Sequence, residues 1–223
     1  MVTFKLQPFT PAQQALLAAL KKQGAVVDTV LLSPEQPPND LEATCRAAAL
    51  AALDYLAAQE AERQTHLPPD VPRFSIERVP GTTPMGRCIS FAELLGDGYD
   101  LEQHQARLFR GYNKTIVHSA EPGLANALLN PPYSLRTVSE GEFGSLAYVA
   151  SQHRQLGELL RDYLATVLHV ATPADAETLT CFAWSTDWAS YFELGHEWWG
   201  AYCWTIYDPG RVTIAVLLAA STD

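Results

Sequence analysis

Positive charge is scarce in this chain. Lysine and arginine number 15 against 25 aspartates and glutamates over 223 residues, a formal charge of −10. That balance argues against general affinity for nucleic acid or for an anionic membrane surface, and neither is expected as a partner. No apolar run approaches the ~20 residues of a membrane-spanning helix. The start, Met1-Val2-Thr3-Phe4-Lys5, has no basic stretch leading into an apolar one, so no signal peptide is expected and the location is read as cytoplasmic. The four cysteines, Cys45, Cys88, Cys181 and Cys203, form no C-x-x-C pair. Zinc and redox motifs are therefore missing, and free buried thiols are the expectation, with Cys181 and Cys203 the pair that adjacent strands would bring near each other. There is no P-loop, no G-x-G-x-x-G and no G-x-S-x-G elbow, so no cofactor is implied.

What the chain does have is a concentration of aromatic residues near its end. All five tryptophans, Trp184, Trp188, Trp198, Trp199 and Trp204, fall within 21 residues. Thr180 to Ser185 is rich in strand-favouring residues. Asp187 is placed to cap a helix over Trp188–Leu194, with Gly195 just past its end. Gly200 to Tyr207 alternates, setting Tyr202, Trp204 and Ile206 on one face and Cys203, Thr205 and Tyr207 on the other. Asp208-Pro209-Gly210-Arg211 signals a turn, and Val212 to Ala220 reads as a strand buried on both faces. The two strands should form a hairpin. Pro-Gly suits a two-residue hairpin loop badly, so a longer or bulged loop is expected and the register stays open.

From Asn130-Pro131-Pro132-Tyr133 onward the chain resembles a family of uncharacterised bacterial proteins. These carry the run W-S-T-D-W-x-x-Y-F-x-x-G-x-E-W-W-G-x-x-x-W-T and end near S-T-D, as Trp184 to Thr205 and Ser221 to Asp223 do here. The resemblance covers less than half of the chain. It implies a shared fold and says nothing about chemistry.

Earlier segments follow ordinary signals. Val2 to Gln7 alternates weakly as a first strand. Thr10-Pro11-Ala12-Gln13 is a capping box that starts a helix ending by Gly24. Val26 to Leu32 is a strand, broken by Pro34, Pro37 and Pro38. Asn39 is expected to cap an alanine-rich helix running to about Arg63, with Leu41, Cys45, Ala48, Ala52 and Leu56 along one stripe. His66 to Pro72 reads as a linker. It separates an N-terminal α/β segment, residues 1–64, from a C-terminal α+β domain, residues 73–223. Within the latter, strands are expected at Arg73–Val79 and Tyr112–His118, and helical segments at Phe91–Leu95, Leu101–Phe109 and Gly123–Leu129. Ser139-Glu140-Gly141-Glu142 is a second capping box, opening what the spacing predicts as the longest helix, from Phe143 to about Leu168. His153 falls on its apolar stripe and reads as a core or boundary residue.

Three patterns bear on chemistry. Asn130-Pro131-Pro132-Tyr133 matches the tetrapeptide of amino methyltransferases, but no glycine-rich loop accompanies it to hold S-adenosylmethionine, and prolines stopping a helix explain it more simply. His196-Glu197-Trp198-Trp199-Gly200 begins like H-E-x-x-H, with glycine where the second metal ligand belongs, so no metal is expected. Asp187, Glu193, Glu197, Asp208 and Asp223 offer a carboxylate pair beside aromatic walls, as in sugar-binding and hydrolytic sites. The simpler expectation is that Asp187 caps a helix and Glu197 accepts hydrogen bonds.

The fold expected is α+β: a mixed or antiparallel sheet with a C-terminal hairpin and long helices packed on one face. The function expected is non-catalytic binding of another protein, in the manner of an immunity protein. An enzyme with its carboxylates in a tryptophan-lined pocket made of Asp187, Trp188, His196, Glu197 and Trp199 is the first alternative. An S-adenosylmethionine-dependent methyltransferase is the second.

Overall fold

The structure is a computed structural model that describes residues 2–68, 70–71, 73–106, 123–129, 146–196 and 200–221. The strand expected at 112–118, the tetrapeptide at 130–133 and the capping box at 139–142 lie outside these residues. The architecture is α+β. Spatial proximity divides the chain into two interleaved units: residues 1–8, 28–88 and 180–222, and residues 9–27, 89–179 and 223. No described helix is long and apolar enough to cross a membrane.

The first unit is built on a six-stranded antiparallel sheet. Its strands are β1 (Phe4–Leu6), β2 (Val27–Pro34), β3 (Gly86–Ile89), β6 (Thr180–Trp184), β7 (Gly200–Asp208) and β8 (Thr213–Ser221), in the spatial order β1-β2-β8-β7-β6-β3. The C-terminal hairpin forms as the sequence predicts. β7 and β8 pair from Gly200↔Ser221 to Asp208↔Thr213, leaving a four-residue loop, 209–212. Pro209 and Gly210 thus sit in a longer loop, as their turn preferences require. Asp208 fixes it: its Oδ1 accepts from the N–H groups of Gly210 (2.8 Å) and Arg211 (3.1 Å). β8 lies between β2 and β7, and Ile214 through Ala219 are all buried.

One sheet face carries Phe182, Trp184, Cys203, Thr205, Ile214, Val216 and Leu218. Against it packs α2 (Leu41–Thr65), through Cys45, Ala48, Ala49, Ala52 and Leu53. The small residues of this stripe let the helix approach the bulky aromatic side chains opposite. The alternation read from the sequence is correct: Tyr202, Trp204 and Ile206 share the other face. Cys181 pairs across from Ile206, and Cys203 from Trp184. Odd and even positions face opposite ways, so these two thiols do not meet, and all four cysteines are free.

Several expectations are corrected. The α2 cap is Asp40, not Asn39: its Oδ1 accepts from the Ala43 N–H at 3.0 Å. α2 spans 25 residues and α5 (Leu146–Thr166) is described over 21; the start predicted for the later helix, at Phe143, lies outside the described residues. Residues 73–79 are extended but not a strand, and make only an isolated bridge, Arg78 to Ala189. Their partner segment, 185–192, turns away into a short 3-10 helix over residues 190–192, so no ladder propagates. Hydrogen bonds still tie the two segments: Val79 N–H to the Trp188 carbonyl, Ser190 N–H to the Glu77 carbonyl (both 2.9 Å), and Ser185 N–H to the Met85 carbonyl (2.7 Å).

The second unit is mainly helical: α1 (Pro11–Lys22), α3 (Phe91–Leu95), α4 (Leu124–Leu129), α5 and α6 (Pro173–Glu177), with a two-stranded ribbon of β4 (Tyr99–Asp100) and β5 (Gln105–Ala106). The capping box at Thr10 forms as read. α1 packs along α5, and Gln13 donates to the Thr166 carbonyl at 2.7 Å. Leu156, Leu160, Tyr163 and Leu164 make the buried stripe of α5. The side chain of His153 lies outside the described set. The helix expected from Leu101 is not present: residues 101–104 are a turn leading into β5. The cause is Asp100, whose Oδ1 accepts from the Glu102 (3.0 Å) and Gln103 (2.9 Å) N–H groups. Such a side-chain turn competes with helix initiation.

Candidate functional site

Of the five residues proposed for a tryptophan-lined pocket, the structure describes Asp187, Trp188 and His196; Glu197 and Trp199 lie outside the described residues. Trp188 is 1% exposed and belongs to the core, its ring meeting Phe192 edge-on at 5.3 Å. Its indole N–H donates to the Ser185 carbonyl at 2.6 Å. Asp187 is exposed and caps no helix, which corrects the sequence expectation. Ala189 is held extended by its bridge to Arg78, so no helix can start at Trp188. The chain instead turns at Ser190 and reaches α7 (Glu193–His196). Gly195 lies inside α7 rather than beyond it, and a Cβ there would overlap the Gly200 carbonyl. His196 is exposed, with Nε2 2.8 Å from the Thr186 hydroxyl.

Other polar groups of the stretch are also engaged in the fold. The Trp184 indole N–H donates to Thr205 Oγ1 at 3.0 Å, a fully buried bond. The same hydroxyl is hydrogen-bonded to the Cys45 thiol. The Trp184 ring stacks on Phe182 at 5.5 Å, carries the Arg46 guanidinium 5.7 Å from its centroid, and covers Gly86 so closely that a Cβ there would overlap it. The Tyr191 hydroxyl donates to Asp28 Oδ2 at 2.9 Å and lies 3.2 Å from the Leu218 carbonyl. Burial raises its pKa well above the ordinary phenol range, and the Asp28 carboxylate adds to the rise. Burial likewise pushes the thiols up, Cys45 to about 11 and Cys181 to about 12, so both stay protonated and poorly nucleophilic at neutral pH.

This geometry fixes what changing Asp187 should do to stability. An exposed carboxylate that caps nothing contributes little, so Asp187→Asn is expected to change stability by less than about 0.5 kcal/mol. A thermal melt showing a loss above ~1 kcal/mol would restore the capping role.

A feature that sequence reading missed lies in the second unit. α3, β4 and α6 border a cleft of about 680 Å³. Phe91, Leu95, Tyr99, Leu101 and Leu179 form its apolar walls, and Glu93, Asp97, Asp100 and Glu177 supply its carboxylates. Ser90 caps α3 by accepting from the Glu93 N–H at 3.0 Å. Gly123 backs the wall, since a Cβ there would come within 2.7 Å of the Leu95 carbonyl. Residues 90–101 and 173–179 are far apart in sequence, and no local pattern announces that α3 meets α6.

No protein-family model, curated protein or solved structure matches this chain.

Proposed function

We propose that this protein is a non-catalytic module that binds a protein partner of net positive charge, in the manner of an immunity protein. The observation that carries this reading is where the charge lies. Among the described residues no aspartate or glutamate is buried, so their carboxylates lie at least partly at the surface of a chain whose formal charge is −10. A surface of one sign steers an oppositely charged partner and speeds its association. The tryptophan-rich stretch adds support. The Trp184 and Trp188 indoles and the Tyr191 hydroxyl are committed to bonds within the fold, a structural use of groups that a catalytic pocket would leave facing solvent.

The test mixes the purified protein with the purified products of the genes adjacent to its own and follows complex formation by light scattering at low and high salt. The expected result is a stoichiometric complex with one of them, whose association slows steeply as salt rises. A protein that remains a single uncomplexed species with every such product contradicts the reading.

A further inference from the structure

The sheet of the first unit ends at β1, and no strand among the described residues pairs with its outer edge. The bonds to β2 decide which backbone groups face that edge. The Gln7 N–H donates to the Leu31 carbonyl at 2.8 Å, and the Thr3 carbonyl accepts from the Glu35 N–H at 3.1 Å. Odd positions therefore turn their backbone groups toward β2, and Val2, Phe4 and Leu6 turn theirs outward. Edge strands are commonly blunted by proline, a bulge or charge. β1 itself has no proline, and its register with β2 runs unbroken from Phe4↔Pro34 to Leu6↔Leu32. Lys5 is its one charge.

The side chains give a second, independent observation. Val2 and Leu6 are 40% and 39% exposed. By strand alternation they share the face on which Phe4 packs against the core, so the apolar positions are symmetric about Phe4. On the opposite face the Thr3 hydroxyl donates to Glu35 Oε2 at 2.6 Å. Lys5 lies on that face too, across from Ser33, and has no ion pair among the described residues.

We propose that β1 pairs antiparallel with β1 of a second copy of this chain, about a twofold axis at Phe4. Phe4 then faces the partner's Phe4, and Val2 faces the partner's Leu6, each pair exchanging the N–H and C=O groups now turned outward. The exposed apolar side chains of the two copies cover each other. Thr3 faces the partner's Lys5, so Glu35, Thr3 and the partner's Lys5 form a row across the sheet. Glu35 and that lysine are two strand spacings apart, about 10 Å between Cα atoms, within reach of two long side chains. The twofold repeats the pair, so the interface is self-complementary in charge as well as in apolar surface. Neighbouring registers lack this fit. Setting Phe4 against the partner's Leu6 puts Lys5 directly against the partner's Lys5, which is unfavourable. Setting Leu6 against the partner's Leu6 puts Phe4 against the partner's Pro8, which has no N–H to give.

The experiment is sedimentation equilibrium on the full chain from about 10 µM to about 1 mM. One short strand makes a small interface, so the expected result is a reversible monomer–dimer equilibrium with a Kd on the order of 100 µM. Leu6→Pro removes an N–H that faces away from β2, a change edge strands tolerate, and should abolish the dimer; its melt checks the fold. Lys5→Glu and Glu35→Lys should each weaken the dimer at least about fivefold, and the double variant should return to within about threefold of the unaltered chain. Glu35→Lys is the sharper of the two. It lowers the net negative charge, so it would strengthen a dimer opposed only by general repulsion. Three results would overturn the proposal: a single monomeric species up to about 1 mM, a dimer retained by a folded Leu6→Pro variant, or a dimer that Glu35→Lys fails to weaken. All are read on the chain alone, so none depends on whether a basic protein partner is found.

Discussion

Trp188→Ala is expected to lower stability by about 3–5 kcal/mol, the usual cost of emptying a buried aromatic site. Trp188 is 1% exposed and sits in the cluster that joins α2, the sheet and the 190–192 turn. Its removal leaves Phe192 and Ala189 facing a void and deprives the Ser185 carbonyl of its indole donor. The neighbouring segment 77–85 hangs on the same region, because Val79 bonds to the Trp188 backbone and Met85 to Ser185. In a chain of this size each kcal/mol moves the melting temperature by about 2–4 °C, so the melt should fall by about 6–20 °C. A fall of only one or two degrees would mean that the ring is not core.

A larger loss is expected from ending the chain at Pro209. That deletion removes β8, which separates β2 from β7. The sheet would split into β1-β2 on one side and β7-β6-β3 on the other, and β7 would lose a ladder running along its whole length. Six consecutive buried residues, Ile214 to Ala219, would go with it. An exposed edge of that length and apolarity invites aggregation. The truncated protein is expected to be insoluble, or to show no cooperative transition by circular dichroism. A soluble, cooperatively melting product would contradict the central position of β8.

β8 was legible in the sequence because its signal is local and strong: an uninterrupted apolar run after a Pro-Gly turn can only be buried on both faces. The capping box at Thr10 was legible for the same reason. The α2 cap was less so, since Asn39 and Asp40 are both good caps and adjacent. The choice falls to Asp40 because Leu41 begins the helix and packs on the core. At Asp187 the local signal misled. The residue has capping chemistry, but the bridge between Ala189 and Arg78, more than a hundred positions away in sequence, holds the backbone extended where a helix would start. At Leu101 the apolar spacing was outweighed by one side chain, Asp100, bonding its own backbone. The cleft was illegible altogether, because its carboxylates and its walls come from segments that only the tertiary fold brings together. Within the tryptophan stretch, sequence pointed to the right place for the core, where Trp188 is 1% exposed.

Trp184 and Trp188 hold the first unit together. Hydrogen exchange of the indole N–H groups of Trp184 and Trp188 tests it most directly. Each is bonded inside the first unit, to Thr205 Oγ1 and to the Ser185 carbonyl. Both should therefore exchange only through unfolding of that unit, at the rate of its slowest backbone amides in β7 and β8. Exchange of either indole as fast as in an exposed side chain, while those strand amides remain protected, would contradict the claim and return the stretch to the role of an open site.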